Sequence, residues 1–337
     1  MSATRSPRDL ILGYLQNADG GFVSSSELCA VLNTSRTAVW KHVRTLVAQG
    51  YSIEASPHRG YRLTERTDSV TSRELGDLLT TRVLGRRIEY SDTIDSTNQA
   101  ALRLAEAGVE EGTVVLADRQ TSGRGRMGRE WVTPQRTGIQ MSLILRPPLP
   151  VAAAAMLTLF AAVAAATALE RLVDERVAIK WPNDLVLTGK KLGGILIEAS
   201  SEGNSLRYAV VGIGINANSD ASMFPASLRE KVISLREAAG RPIRRVEVIA
   251  AVLALLEEWY YASVTRGDFA DLLDDAKARS ATIGHLVAVD TGIGVLKGVA
   301  EDIAADGALL LRRNDQSTTR VYSGDIVSAG IIDPRGK

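Results

Sequence analysis

A chain of 337 residues, 45% apolar and 23% charged, has the composition of a globular protein with a sizeable core; at about 150 residues per domain it holds two or three domains. Its net charge of +1 excludes a partner bound through overall charge, and its single cysteine, Cys29, excludes an internal disulfide. Three scattered histidines leave no structural zinc pattern, and Met1-Ser2-Ala3-Thr4-Arg5-Ser6-Pro7 lacks the apolar core of a signal peptide, so a reducing, cytoplasmic setting is expected.

Residues 8–16 carry Leu10, Ile11, Tyr14 and Leu15 at helical spacing. Ser24-Ser25-Ser26-Glu27 reads as the N-cap of a second helix running to Leu32, with Cys29 expected as a buried small hydrophobe. After the tight turn Asn33-Thr34, Ser35 caps a third helix over 36–49, with Gly50 as its stop. Tyr51-Ser52-Ile53, a turn over 56–60 and Tyr61-Arg62-Leu63 form a short hairpin. Residues 1–33 sum to −1, whereas 34–62 sum to +4 from Arg36, Lys41, Arg44, Arg59 and Arg62 against Glu54. Helix, helix–turn–helix and a basic-tipped hairpin make a winged helix-turn-helix, whose third helix enters a major groove. Thr34, Ser35, Arg36, Thr37 and Lys41 are its candidate base contacts; Arg44 and Arg59 are candidate phosphate contacts, which position without specifying sequence. The competing reading is a helical docking module with a solvated basic face. The polar run Glu65-Arg66-Thr67-Asp68-Ser69 reads as a linker.

From residue 71 the pattern becomes mixed α/β. A strand over 87–90 precedes Asp95-Ser96-Thr97-Asn98, which opens a helix to Ala107. Asp95 and Ser96 are plausible caps, and Ser96-Thr97-Asn98 also suits an uncharged polar ligand at a helix N-terminus. A β-branched strand over 113–117 leads into Gln120-Thr121-Ser122-Gly123-Arg124-Gly125-Arg126-Met127-Gly128-Arg129, then Glu130 and Trp131. Glycines permit positive φ and close approach to a ligand, and arginines offer forked donors to phosphate or carboxylate. The spacing Gly123-x-Gly125-x-x-Gly128 is not a dinucleotide fingerprint, because no helix opens there and no acid follows at the required distance.

After a strand over 138–145, residues 151–169 form an uncharged stretch of nineteen, ten of them alanine. A buried helix explains it better than a membrane span of ~20 residues, since a span would separate the arginine loop from the next motif. That motif is an apolar strand, Val177-Ala178-Ile179, ending in Lys180 and followed by Trp181-Pro182-Asn183-Asp184-Leu185. A strand-end lysine either reaches solvent or faces an anion. Strands over 191–200, with close backbone approach at Gly193 and Gly194, and over 206–215, ending in Asn216, precede a polar loop over 217–230 and helices over 245–266 and 269–279. Short strands with glycine turns fill the tail from His285 and suggest a small SH3-like barrel whose own residues show no catalytic chemistry.

In combination, Asp95–Asn98, Gln120 with Gly123–Arg129, Lys180–Leu185, Lys191–Leu196 and Gly212–Asn216 resemble the biotin–protein ligase family. The winged helix brings the resemblance to its bifunctional branch, which ligates biotin and represses the biotin operon. The resemblance implies an α+β multidomain chain: a winged helix-turn-helix over 1–66, a class II synthetase-like mixed-sheet α/β domain over 67–280, and the SH3-like barrel over 281–337. It implies a two-step reaction. Biotin and ATP, with Mg²⁺, give biotinyl-5′-AMP and pyrophosphate; a lysine of a biotin carboxyl carrier protein then displaces AMP.

By the same resemblance Ser96, Thr97, Asn98, Gln120 and Gly194 contact biotin, and Arg124, Gly125 and Arg126 close over it. Lys180 bridges the carboxylate and α-phosphate and, with Arg124 and Arg126, forms the catalytic set. Arg129, Trp131, Asn183, Asp184 and Asn216 serve the adenylate, with Mg²⁺ travelling with ATP near Asp184. Further expectations are operator DNA as a partner, no membrane, and a homodimer formed when biotinyl-AMP orders the loop beside strand edges near 140–145 and 191–196. The aromatic that covers adenine in the family is missing where it is expected, at Val232 and Ile233, although Phe224 lies nearby. A ligase with a non-regulatory winged helix, a lipoate–protein ligase-like acyl transferase and a ligand-sensing regulator without catalysis are the alternatives.

Overall fold

The computed structural model describes residues 6–330 apart from 19, 49, 50, 66, 67, 69 and 71. The expected helix stop at Gly50, and Arg66, Thr67 and Ser69 of the expected linker, lie outside these residues. The chain divides into two compact units, 1–69 and 70–337.

In the first unit α1 (Pro7–Asn17), α2 (Ser25–Leu32) and α3 (Arg36–Ala48) bury Ile11, Leu15, Leu28, Val39, Val43 and Leu46 between them. The caps form as the sequence suggests. Ser24 Oγ accepts from Glu27 N (3.1 Å), Asn33 takes the left-handed conformation that ends α2, and Ser35 Oγ accepts from Ala38 N (3.3 Å). Strands β1 (Ser52–Ser56) and β2 (Gly60–Glu65) form the antiparallel wing, tied to the helices by pairing of Tyr61 with Val23. Gly60 has φ +97°, and a Cβ there would lie 2.1 Å from Val23 O, so the wing requires glycine at that corner. Cys29 is half-buried against this core rather than fully enclosed.

The second unit opens with α4 (Ser72–Leu78) and alternates through β3 (Ile88–Ser91), α5 (Thr97–Glu106), β4 (Val114–Ala117) and β5 (Gly138–Leu145) to the long α6 (Ala154–Val173). A meander of β6 (Ala178–Lys180), β7 (Asp184–Leu187), β8 (Lys190–Glu202) and β9 (Ser205–Asn216) follows, then α7 (Leu235–Ala239), α8 (Arg245–Ala262) and α9 (Ala270–Ala278). The seven-stranded sheet runs β3-β4-β5-β9-β8-β7-β6; only β3 and β4 are parallel. Strands β10 (Leu286–Asp290), β11 (Val295–Ile303), β12 (Leu309–Arg312), β13 (Thr318–Val321) and β14 (Asp325–Gly330) form a five-stranded antiparallel sheet in the order β13-β12-β11-β10-β14.

Alternation along β5 and β9 sets the two faces of the large sheet. Met141, Leu143, Leu145, Val211 and Ile213 pack with α6 and α8, while Ile144 and Val210 pack with α5. The uncharged alanine stretch forms most of α6, whose buried alanines let it lie close to sheet and α8. The strands expected to offer edges do not: β5 lies between β4 and β9, and residues 191–194 of β8 lie between β7 and β9. The sheet's edge strands are β3 and β6, and β8 has no β7 partner beyond Gly194.

Candidate functional site

On the α5 face of the sheet, one cavity gathers Ser96, Thr97, Asn98, Gln120, Arg124, Gly125, Arg126, Arg129, Trp131, Asn183, Asp184 and Gly194 from the residues singled out in the sequence. One end is lined by uncharged polar groups, most of them cross-linked, while Gln140, on β5 in the same cavity, keeps both amide atoms buried without a partner among the described residues. Ser142 Oγ, on β5, donates to Asn98 Oδ1 (2.6 Å), and Asn98 Nδ2 donates to Glu198 Oε2 (2.8 Å) on β8. Gln120 Oε1 accepts from the Thr97 backbone N–H (2.8 Å) and from its hydroxyl (3.1 Å). Gly212 makes room: a Cβ there would sit 2.1 Å from Asn98 Oδ1. Ser96 is buried at the start of α5 and makes no side-chain capping bond; Asp95 Oδ1 accepts from Ser96 N (2.7 Å) instead. Capping therefore accounts for Asp95 but not for Ser96.

The other end carries the charges. Residues 123–131 close on themselves, with Gly125 N donating to Arg129 O (2.8 Å) and Trp131 N to Gly123 O (3.0 Å). Of the three glycines only Gly128 has positive φ (+73°), together with Met127 (+53°). Gly123 is demanded by proximity, since a Cβ would lie 2.5 Å from Trp131 O. Arg126 donates to Asn183 Oδ1 (3.2 Å), Gly324 O (3.3 Å) and Ser323 Oγ (3.1 Å). Asp325, at the start of β14, lies 2.6 Å from Arg129 and 3.8 Å from Arg126. Burial pushes the Arg126 guanidinium below the usual arginine range, which Asp325 and Asp184 oppose and Arg129 reinforces. Arg124 is exposed and makes no ion pair or hydrogen bond among the described residues.

Lys191 lines this cavity, and Lys180 lines the chamber that adjoins it, where Lys191 also stands. Lys191 Nζ lies 2.7 Å from Asp184 Oδ1 and 5.5 Å from the Trp131 ring centre. Lys180 ends the edge strand β6, and its Nζ donates to Ile326 O (3.0 Å). It lines an adjoining chamber with Asn216, Phe224, Leu228 and Val232, and the two chambers share Arg129, Trp131, Asp184 and Lys191. Asn216 Nδ2 donates to the carbonyls of Lys191 and Ile233 (both 3.3 Å). The indole of Trp131 lies on Gly214, where a Cβ would meet it at 2.5 Å.

On the first unit, Arg36, Thr37, Lys41 and Arg44 form an exposed stripe along α3, with Thr34 and Ser35 at its N-terminal end. Ser35 is engaged by its cap bond, Arg36 donates to Ser26 Oγ (3.2 Å), and Arg59 of the wing lies over the Phe22 ring at 4.0 Å.

A sequence model described as "Biotin/lipoate A/B protein ligase family" matches residues 90–216, an HTH domain model matches 8–62, and a "Biotin protein ligase C terminal domain" model matches 282–327. The bifunctional ligase/repressor BirA of Bacillus subtilis is 39% identical over 319 residues, covering 95% of this chain and 97% of its own. The chain belongs to the biotin–protein ligase family. A biotin–[acetyl-CoA-carboxylase] ligase of Paracoccus denitrificans is 37% identical over 65% of this chain and 91% of its own. The Aquifex aeolicus biotin protein ligase, solved in complex with biotin and ATP, superposes with a TM-score of 0.61 at 28% identity, covering 71% of this chain and 97% of that one. The three-part α+β architecture follows, with the small C-terminal β domain the sequence suggested.

For a member of this family, sequence reasoning missed three contributors. Lys191 lies between the motifs' conspicuous residues, and its place beside Asp184 in both chambers carries no local signal. Ser142 sits in an apolar run whose alternation had to be known before it faced the cavity. Asp325, with Ser323 and Gly324, joins the tail to the site: an acid at the start of a strand carries no local signal of the arginines it will meet.

Proposed function

We propose that the chain is a biotin–protein ligase that also represses transcription through its winged helix. The observation that carries the ligase reading is one cavity with an uncharged hydrogen-bonding end and a cationic end. Biotin has the matching shape: a polar, uncharged bicyclic head and a carboxylate on an apolar arm. The head binds among Ser96, Thr97, Asn98 and Gln120. The carboxylate reaches Lys191, beside Arg124, Gly125, Arg126 and Gly194, at the opening to the second chamber. That chamber takes ATP, with Phe224, Leu228 and Val232 as the apolar wall for adenine and Lys180, Asn183, Asp184 and Asn216 near the phosphates.

In the first step a biotin carboxylate oxygen attacks the α-phosphorus and pyrophosphate leaves. No protein nucleophile is needed; the work is positioning two anions and stabilising charge on phosphorus, which cations in a dry site do. Lys180 bridges the carboxylate and the α-phosphate, with Lys191 beside it in the same chamber, and Arg124, Arg126 and Arg129 neutralise the phosphates. Magnesium keeps several waters and needs only one or two carboxylates besides substrate phosphates, so Asp184 would hold an ion arriving with ATP, and that ion would supply charge to offset the leaving pyrophosphate. In the second step the ε-amine of an acceptor lysine attacks the acyl carbon, forming an amide and releasing AMP. The acceptor is a biotin carboxyl carrier protein, as the name of the Paracoccus relative suggests.

For repression, Thr34, Ser35, Arg36, Thr37 and Lys41 face base edges, and Arg44 and Arg59 face phosphates. Functional segments of 1–66, 67–280 and 281–337 go with this reading. Biotinyl-AMP acts as corepressor by ordering residues 121–131 and favouring a homodimer, whose paired winged helices match paired half-sites. The open edge of β8 beyond Gly194 replaces the interior strands expected from sequence as the surface for that dimer.

The test is pyrophosphate release with ATP and either biotin or lipoate, followed by label transfer to carrier protein. Biotin-dependent release with lipoate inactive supports the reading; release with lipoate alone, or with neither acid, overturns it.

A further inference from the structure

We propose that Trp40 is a specificity-determining residue of the DNA-reading surface, contacting a thymine 5-methyl group in the major groove. The inference rests on the repressor reading above. Trp40 is 46% exposed on α3, an unusual exposure for an indole, on a helix that buries Val39, Val43 and Leu46 and leaves only Val47 exposed beside it among its large apolar side chains. Exposed α3 residues fall at Arg36, Thr37, Trp40, Lys41, Arg44 and Val47, one helical stripe in which Trp40 is the only aromatic. The packed positions of α3 face α1 and α2, so this stripe is the face that a groove would meet.

The flanking cations suit a duplex, but an indole has nothing to offer a phosphate beyond one N–H. Its apolar surface matches the one apolar feature the major groove displays, the thymine methyl. The Arg44 guanidinium lies over the ring, 5.0 Å from its centre. The wing repeats this arrangement, with Arg59 and Arg62 lying 4.0 and 4.7 Å from the Phe22 ring centre. The two arginine–aromatic stacks divide the labour: each ring restrains a flexible cation that would otherwise lose its freedom on binding, and the more exposed ring, Trp40, is left to touch a base. Arg44 therefore positions and Trp40 specifies.

The experiment uses the full chain with biotin and ATP present and a random-sequence duplex library as probe. The sequence enriched by the wild type is then made with every thymine in the half-sites replaced by deoxyuridine, which lacks only the methyl. The wild type is expected to lose about fivefold to tenfold in affinity on that replacement, the size of one base contact. Trp40→Ala is expected to bind the thymine duplex as weakly as the wild type binds the uracil one, to ignore the replacement, and to bind random DNA within about twofold of wild type. Trp40→Phe, which keeps an apolar ring and protects against loss through misfolding, retains part of the thymine dependence. Arg44→Ala weakens specific and random DNA alike and lowers the salt slope by about one. Wild-type binding indifferent to the methyl, or thymine dependence surviving in Trp40→Ala, overturns the assignment while leaving repression intact. No enriched sequence with the wild type overturns the repressor reading and this inference together.

Discussion

The two ends of the ligand cavity are built by opposite strategies. At the neutral end, Ser142, Asn98, Glu198, Thr97 and Gln120 stand on α5, β5 and β8 or directly beside them, and their polar groups satisfy one another across 2.6–3.1 Å. At the cationic end, Arg126 and Arg129 stand on a loop and turn to Asp325, Ser323 and Gly324, groups of a different domain. The first end has most of its bonds in place in the empty protein, with the buried Gln140 amide of the same cavity left unpaired. The second uses a carboxylate and backbone carbonyls as partners that a phosphate can replace. A rigid constellation suits recognition of a fixed uncharged head, since its ordering cost is met on folding. Exchangeable partners suit a group that changes from carboxylate to acyl phosphate and then departs.

Substitutions at each end should separate these roles. The largest effect is expected for Lys191→Ala. Removing charge-assisted bonds worth roughly 1.5–3 kcal/mol each slows adenylate formation by about tenfold to a hundredfold, read as the rate of pyrophosphate release, with little change in melting temperature. Lys180→Ala should slow it by a similar factor, because Lys180 lines the chamber proposed for the nucleotide and its ammonium is held there only by Ile326 O among the described residues.

Next is Asn98→Ala, which takes the amide partner from the half-buried Glu198 carboxylate and leaves Ser142 with Thr97 Oγ1 alone (2.8 Å). A shielded polar group that loses a partner costs roughly 1–3 kcal/mol, so biotin affinity should fall at least tenfold and the protein should melt at lower temperature. A variant that binds biotin normally would show that the neutral end is only scaffolding.

Arg126→Gly removes the bonds from the loop to Asn183, Ser323 and Gly324. Biotinyl-AMP is expected to form and then escape, labelling lysines of bystander proteins; labelling confined to the carrier protein would mean that the loop does not retain the adenylate.

The smallest effect is expected for Asp325→Asn. With the carboxylate gone, phosphate no longer competes with it for Arg126 and Arg129. KM for ATP should fall about twofold to fivefold at low salt, with the difference shrinking as ionic strength rises. A rise in KM would mean that Asp325 helps to hold the nucleotide.

The sequence made the neutral end legible where chemistry and helix start coincide, at Ser96-Thr97-Asn98, and the cationic loop legible through its composition. Strand boundaries followed β-branched runs and glycine turns closely enough to place most of the large sheet. β7 was hidden because Asp184 reads as part of a loop motif and not as a strand start. What could not be read depends on distance in space rather than along the chain. The pairing of Lys191 with Asp184 requires the β7–β8 turn. The meeting of Asp325 with Arg129 spans two domains, and the interior position of β5 and β8 follows only from the order of seven strands. The buried Arg245–Asp118 pair (2.7 Å), which with Tyr90 braces the sheet behind the cavity and raises the Tyr90 phenol through burial first and Asp118 second, was likewise invisible.

The most direct test of a largely preformed end facing an exchangeable one is backbone hydrogen exchange in the full chain, empty and then loaded with biotin and ATP without acceptor protein. Amides of 98–106 should be protected in both states, while those of 121–131 should exchange rapidly when empty and slow at least tenfold (about 1.4 kcal/mol) once biotinyl-AMP has formed. Strong protection of 121–131 in the empty protein, unchanged by ligand, would contradict the account.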